Sequence, residues 1–336
     1  MSSTTQVPAP RMNDLFAQTK PMCFGRYAVE LPAEAAQIMG FQAIDAGFTQ
    51  VERTQFVDST RLLEDQWSKM RKEYRAPELL SQIVEGPVHG ASYFWFIKSP
   101  VAKSFDAKWI DGAIPIGNKF YLYKGLAANK GLGATTGKLS PDEVFRRMTA
   151  LMRGMRAWDG RSVPREPGVC IDGAFIHEPT NRFREIMSSG FTFPSLPDVH
   201  FSVFSNKNAS TEGDNGKGLL QRVDEARREQ LFYPYSFLRR GKRTLHGLWD
   251  GEEVLARRGD GALQFDWELV GQRGNVARPS WMEIGLRTRV ADNKVGAART
   301  SAISEEQAVE LWDRLLEGVK FRVAVPGATA ASVALA

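Results

Sequence analysis

The chain has 336 residues, 43% hydrophobic and 25% charged, with a formal charge of +5 and only two cysteines. That length exceeds what a single core usually supports and points to two domains, and the composition excludes a largely disordered protein. No apolar run approaches the ~18 residues of a membrane span, and the positive charge is too dilute along the chain to indicate nucleic acid.

The start, Met1 to Pro10, lacks the basic-then-apolar pattern of a secretory signal. Its Ser/Thr/Pro character fits a trimmed signal as well as the loose end of a cytoplasmic protein, so residues 1–20 are expected to form a flexible lead. Phe24 to Leu31 reads as a strand that ends at Pro32, and Gly47 to Val57 alternates like a half-buried strand. From Ser59 a helix follows, with Leu63, Trp67, Met70 and Tyr74 on one stripe. The aromatic segments Ala91 to Lys98 and Lys119 to Gly125 read as strands. In "SPDEVFRRMTALMRGM", Ser140, Pro141 and Glu143 spell a capped helix start with a capping box.

"DGRSVPREPG" (Asp159 to Gly168) breaks either period and is read as the linker between domains. Strands resume at Cys170, continue through "EIMSSGFTF" and "DVHFSVFS", and are followed by the polar loop Asn206 to Gly216 and a charged helix from Gly218 to Leu231. "KRTLHGLWD", "GEEVLARR", "QFDWELVG" and "SWMEIGLRTRV" suggest an antiparallel meander. Ser304 and Gln307 open a last capped amphipathic helix. The expected fold is α+β, two domains of mainly antiparallel sheet with packed helices, at residues 21–158 and 169–323, with a flexible tail at 324–336.

Two features repeat. "PMCFGRYAVELP" and "GVCIDGAFIHEP" each place a cysteine nine residues before a proline, and Val144, Met148, Leu151, Met152 and Met155 occupy the same offsets from their capping serine as Ala308, Trp312, Leu315, Leu316 and Val319. An ancient duplication would leave such a pattern, although any α+β domain can end in a helix of this kind.

Sets of residues that carry chemistry are absent or incomplete. No G-x-S-x-G is present, and "GASYF" at Gly90 lacks the closing glycine. The glycine loop Lys130 to Leu139 is one residue too long between Gly131 and Gly137, with Leu139 where a magnesium-binding hydroxyl belongs. His89, His177, His200 and His246 have no metal-binding spacing. Asp172, Glu178 and Asp198 are weighed as a carboxylate pair and His200 as a base, against turn and strand positions that explain them without chemistry. No catalytic, cofactor-binding or metal residue is assigned.

Cys23 and Cys170 either bond, closing a loop of about 150 residues worth roughly 5 kcal/mol in the chain-entropy model, or stay as buried thiols. Trp249 and Trp281 adjoin turn residues and arginines, the composition of a binding hot spot, although a strand tryptophan is more often core. "LRRGKR" (Leu238 to Arg243) reads as a charged turn.

"CFGRYAVELP", "CIDGAFI" and "GFTFPSLPDVHFSV" resemble, in order and separation, the motifs of bacterial type VI secretion lipase immunity proteins, the class-four Tle cognate immunity family. The likeness runs from about Met22 to Arg322. It implies a periplasmic, often lipid-anchored, non-catalytic protein of two α+β domains that clamps a phospholipase effector and obstructs its lid or substrate entrance. It implies no cofactor and no nucleic acid, and tethering to a membrane would need a signal or lipobox that does not precede Met22. Candidate contacts are Asn206, Asn208 and Asp214 in the polar loop, Arg239, Arg240 and Arg243 in the basic turn, Trp249 and Trp281. The competing expectation is a cell-envelope enzyme or small-ligand protein with a site assembled between domains.

Overall fold

The structure is a computed structural model that describes residues 11–45, 48–52, 55–128, 139–209, 217–229, 235–292 and 294–335. It divides into two compact units, and neither is a continuous stretch of chain: one takes Met1–Phe41, Arg161–Pro167 and Glu185–Ala336, the other Gln42–Gly160 and Gly168–Arg184. The chain opens with α1 (Met12–Leu15), a hairpin of β1 (Thr19–Phe24) and β2 (Tyr27–Pro32), and β3 (Ala36–Ile44).

The second unit then forms from β4 (Phe48–Glu52), α2 (Ser59–Glu73), the short β5 (Glu78–Leu79) and β6 (Val84–Glu85), β7 (Ser92–Ile97), α3 (Pro100–Ser104), β8 (Ala107–Ile116), β9 (Lys119–Ala128), α4 (Pro141–Gly154) and β10 (Met155–Ala157). A hairpin of β11 (Gly168–Ile171) and β12 (Ala174–His177) completes it. Its antiparallel sheet has the order β4-β9-β8-β7-β5, with β6 also on β7. The predicted α2 stripe packs on one face: Leu62, Leu63 and Met70 meet Phe94, Phe96, Phe120 and Leu122, with Trp67 and Tyr74 at the margin. α4 packs where Gly112 and Gly125 leave room, because a Cβ at either would strike Met148 Sδ or Val144. Asp58 caps α2 and Ser140 caps α4 through the Glu143 N–H, the accepting half of the expected box.

The first unit continues with β13 (Glu185–Phe193), β14 (Leu196–Asn206), α5 (Leu219–Arg228), β15 (Tyr235–Leu245), β16 (Trp249–Arg258), β17 (Leu263–Val270), β18 (Trp281–Arg287), the ribbon β19 (Val290–Ala291) and β20 (Lys294–Val295), α6 (Glu305–Gly318) and β21 (Val319–Phe321). Seven strands form one antiparallel sheet, β15-β16-β17-β18-β14-β13-β3. α6, with both halves of the Ser304/Gln307 capping box formed, lays Trp312 against Phe265 and Phe201 on one face. The same face carries the small sheet β1-β2-β21, through Phe24 on Phe191 and Tyr27 on Trp249.

Each unit therefore contains one repeated device: a capped helix runs through a terminal glycine into a short strand, and that strand pairs with the inner strand of a cysteine hairpin. Met155 faces Ile176 and Val319 faces Val29, each with the hairpin's outer strand beyond. A Cβ on Gly154 would lie 2.5 Å from the His177 carbonyl oxygen, and one on Gly318 would lie 2.9 Å from that of Glu30. Cys23 and Cys170 hold the same place, one pair before the hairpin turn, opposite Ala28 and Phe175. Both are fully buried and neither is a free thiol.

These pairings correct the expected boundaries. A single cut at 159–168 does not separate the units, since the first hairpin pairs with β21 and Gly168–Arg184 lies with the N-terminal half. Hydrophobic patterning shows that a strand exists, but it carries no label for the strand it will pair with. The strand expected over Phe24 to Leu31 is two strands around a Gly25–Arg26 turn. The flexible lead is structured from Met12, whose side chain is buried, as is that of Leu15, and Arg314 of α6 donates to the Met12 carbonyl at 3.4 Å. The tail is also held: Val333 bridges Phe321, and the Ala334 and Leu335 N–H groups donate to Phe321 and Arg322 at 2.8 and 3.0 Å.

Arg26, in that turn, is 4% exposed and meets Glu185 through Nε at 2.8 Å and Nη2 at 2.8 Å, while Lys207 Nζ donates to the same carboxylate at 3.1 Å. Burial pushes the Glu185 carboxyl up, but the Arg26 and Lys207 charges outweigh it and hold the group below the ordinary range. A carboxyl lowered in the folded state stabilises the fold above its ordinary pKa and loses that contribution as pH falls through the folded value. Glu185→Gln, which removes the negative charge that Arg26 and Lys207 share, is expected to cost about 3–5 kcal/mol and to flatten the acid limb of a denaturation series between about pH 6 and 3; a variant matching the parent in both would show that the triad carries no stability.

Candidate partner-binding surface

The basic segment expected as a turn is the middle of β15, an edge strand. Strand alternation sends its arginines to opposite faces. Arg239 donates to Glu253 at 2.7 Å and Asp313 of α6 at 2.5 Å, and Arg243 to the same two at 2.8 and 2.5 Å. Glu253 is 3% exposed and also accepts from Trp312 Nε1 at 2.7 Å. Hydrogen bonds to Asp313 and Glu253 push the Arg239 guanidinium up, and the two arginines hold Asp313 down against the opposing effect of its burial. Arg239 and Arg243 therefore fasten the edge strand to α6 and are not free contact anchors. Arg240 points to the other face, where it makes a two-bond pair with Asp224 of α5 at 3.0 and 3.1 Å.

Trp249 is a core residue, which overturns its assignment to a contact surface. It is fully buried, its Nε1 donates to the Ala277 carbonyl at 2.7 Å, and its ring packs edge-on against Tyr27 and Phe321. The turn residues beside it mark the start of β16, not an exposed loop. Trp281 is half-buried under the Arg222 guanidinium, 5.0 Å from its ring. Asn206 ends β14 and accepts from the Asn208 N–H at 3.1 Å. Asp214 and the rest of the loop beyond Ala209 as far as Gly216 lie outside the described residues, as does the glycine loop from Lys130 to Lys138.

The weighed carboxylates do not meet. Asp172 pairs with Lys119 at 2.6 Å, Glu178 caps the Thr180 and Asn181 N–H groups, and Asp198 accepts from the Arg289 and Ala302 N–H groups at 2.9 and 3.0 Å. Among the described residues no group of three or more metal-ligating side chains converges.

What the sequence reading passed over is a face. One side of the seven-stranded sheet is covered by α6 and the small sheet; on the other, α5 packs near β16, and among the described residues a groove lies over β18, β14, β13 and β3. Register aligns the residues of that face in rows: Ser188–Phe204–Glu283–Glu268–Glu252 in one, Gly190–Ser202–Gly285–Asp266 in the next, and Thr192–His200–Arg287–Gln264 beyond. They floor a groove of about 410 Å³, rimmed on the β3 side by Ile38, which is 50% exposed. The floor is built from small residues; a Cβ on Gly190 would lie 2.6 Å from His200 Nε2. Burial, then the Arg287 charge, push the His200 ring down, so it is neutral at pH 7. The signal was the polar set of each alternating strand, "QFDWELV" and "WMEIGLR".

Trp249→Ala is expected to lower the unfolding free energy by about 3–5 kcal/mol, whereas Arg240→Ala, an exposed pair, shifts it by under about 1 kcal/mol. Denaturant titration checks both, and equal effects would mean that the two side chains are misassigned between core and surface.

Residues 162–324 match the family model described as the Tle cognate immunity protein 4 C-terminal domain. No curated protein sequence matches the chain. Among solved structures, the apo immunity protein TplEi of the T6SS from Pseudomonas aeruginosa is similar at 23% identity and a TM-score of 0.64, over 90% of this chain and 97% of that one. TplEi complexed with "L" peptide gives 22% identity, a TM-score of 0.63 and coverage of 90% and 98%. A Tle4–Tli4 complex contains a chain 24% identical, at a TM-score of 0.65, with 91% of this chain and 98% of that chain covered. At these identities the structures show a shared fold. Residues 162–324, just under half of the chain, are thus similar to the Tle cognate immunity protein 4 C-terminal domain.

Proposed function

We propose that this protein is an immunity protein of the type VI secretion system, which binds a cognate phospholipase effector in the periplasm and neutralises it by obstructing its lid or active-site entrance, with surfaces of both units taking part. The observation that carries the reading is the family match over residues 162–324 together with structural likeness along nearly the whole of immunity proteins, one of them in complex with Tle4. The chemistry agrees, since the acidic side chains once weighed for catalysis serve as caps and ion-pair partners. Among the described residues no helix is long and apolar enough to cross a membrane. An inhibitor that acts by occlusion needs a well-placed surface and no reactive group.

The test is co-purification with the product of the neighbouring reading frame, followed by titration of its lipase activity. Inhibition complete at one equivalent is the expected outcome; full hydrolysis by a saturated complex would reject occlusion.

We also propose that Cys23 and Cys170 bond to each other, which their burial, the absence of a free thiol among the two and an oxidising compartment all support. Closing a loop of that length is worth roughly 5 kcal/mol in the chain-entropy model. Protein unfolded without reductant should take up no thiol label, and two equivalents after reduction, with a lowered melting temperature. Quantitative labelling before reduction would refute the bond. The repeated helix–glycine–strand–hairpin device supports, as a further part of this reading, descent of the two units from one duplicated ancestor.

A further inference from the structure

Charged side chains of both signs reach this face of the seven-stranded sheet around its acidic row. Arg222 of α5 donates to Glu268 at 2.6 Å, and Arg287 pairs with Asp266, which also accepts from Gln264 at 3.0 Å. That leaves Glu283. It is exposed, it accepts a hydrogen bond from Trp281 Nε1, and no cation among the described residues lies within ion-pair distance of it.

Glu283 also stands directly opposite Glu268 on the neighbouring strand, and Glu252 stands opposite Glu268 on its other side. Like charges in that position destabilise a sheet. The Glu268 carboxyl is pushed up by burial first, against Arg222, with Glu283 and Asp266 adding to the rise. The chain relieves the inner acid with Arg222 and the outer one, Glu252, with the Leu220 N–H at the start of α5 at 2.8 Å. It gives Glu283 no cation. Beside that carboxylate stands Phe204, and around it lies a floor of Gly190, Ser202, Gly285 and Ser188, with Ile38 at the apolar rim. A floor four strands wide spans about 15–20 Å, broad enough for a segment of polypeptide. Although the whole chain is cationic at +5, this face is not.

We propose that this face is a docking surface for a lysine- or arginine-bearing segment of the effector, its aliphatic stem lying over the glycine and serine floor and its charged head completing the pair with Glu283. The proposal rests on the immunity reading and adds the location and the partner's chemistry. Charge complementarity selects the occupant: a cation with a long apolar stem satisfies both halves of the surface, as lysine and arginine do when they bury the stem and keep the head polar. An aromatic or acidic segment satisfies only one half or neither.

A functional and a structural glutamate differ in sign. If Glu283 serves binding, its removal relieves repulsion and leaves the fold as stable or more so while the complex weakens. The experiment uses the full chain with Glu283→Gln, Glu283→Lys and Ser202→Trp, the last to obstruct the floor, and Arg257→Ala in β16, where Arg257 pairs with Glu305 of α6, as control. Melting temperature, light-scattering mass, and effector affinity at about 50 and 300 mM salt are read for each. We expect Glu283→Gln to keep or raise the melting temperature and weaken the complex on the order of tenfold, Glu283→Lys to weaken it further, and the salt dependence of binding to shrink in both. We expect Ser202→Trp to weaken binding with the monomer intact.

Wild-type affinity in the Glu283 variants and in Ser202→Trp, with inhibition retained, overturns this surface and leaves the immunity reading standing. A destabilised Glu283→Gln overturns it as well, since the glutamate would then be structural. A self-associated parent that the variants dissociate makes the occupant a second copy and refutes the proposal. A parent that binds no lipase refutes the immunity reading, and this surface with it.

Discussion

The fold depends on a hairpin whose strand partner lies almost three hundred residues away. Strand β2 offers its backbone to β21, and without that pairing the small sheet of the first unit has neither its middle nor its outer strand. The Arg26–Glu185–Lys207 triad sits at the turn of the same hairpin and joins it to the start of β13 and the end of β14. Ions this deeply buried cost several kcal/mol each to desolvate, so the triad favours the assembled form chiefly by penalising anything that leaves one member alone. Phe24, Tyr27 and Phe321 then bury their rings on Phe191 and Trp249, which makes the docked hairpin part of the core.

Much of this was legible in the residues. The stripes of α2, α4 and α6, with the capping serines of α4 and α6, placed those helix starts to within a residue or two, because amphipathic periodicity and end chemistry are local properties. The sheets of the second half were legible too, since β13 and β17 alternate without interruption and β14 does so from Val199 on. What could not be read was connectivity. Nothing in "CFGRYAVELP" says that its partner is "VKF" at the far end of the chain, so the boundary fell in the breaker-rich stretch where composition changes. The lead and tail look loose in sequence for the same reason: Met12 and Val333 are held by contacts with α6 and β21 that no local pattern encodes.

The binding surface was less legible than the fold, and the errors share a cause. Tryptophan and arginine next to turn residues have the composition of a hot spot, yet composition does not report exposure. Trp249 faces inward because its strand position does, and Arg239 and Arg243 are spent on Glu253 and Asp313. The residues of the grooved face are individually unremarkable glycines, serines and glutamates. Only register brings Ser188, Phe204, Glu283 and Glu268 into one row, and register follows from the pairing order of strands that lie up to about eighty residues apart in the chain.

The hairpin's place in the first unit also bears on how the molecule is made. Almost three hundred residues separate β2 from β21, so the hairpin's sheet can close only once that intervening chain has brought its distant partner back. The second unit has no such delay, since α4, β10, β11 and β12 follow one another in the chain. One half can close from neighbouring segments of chain and the other only when distant ones meet. Anything fused to, clipped from or threaded by either terminus therefore acts on the same final step.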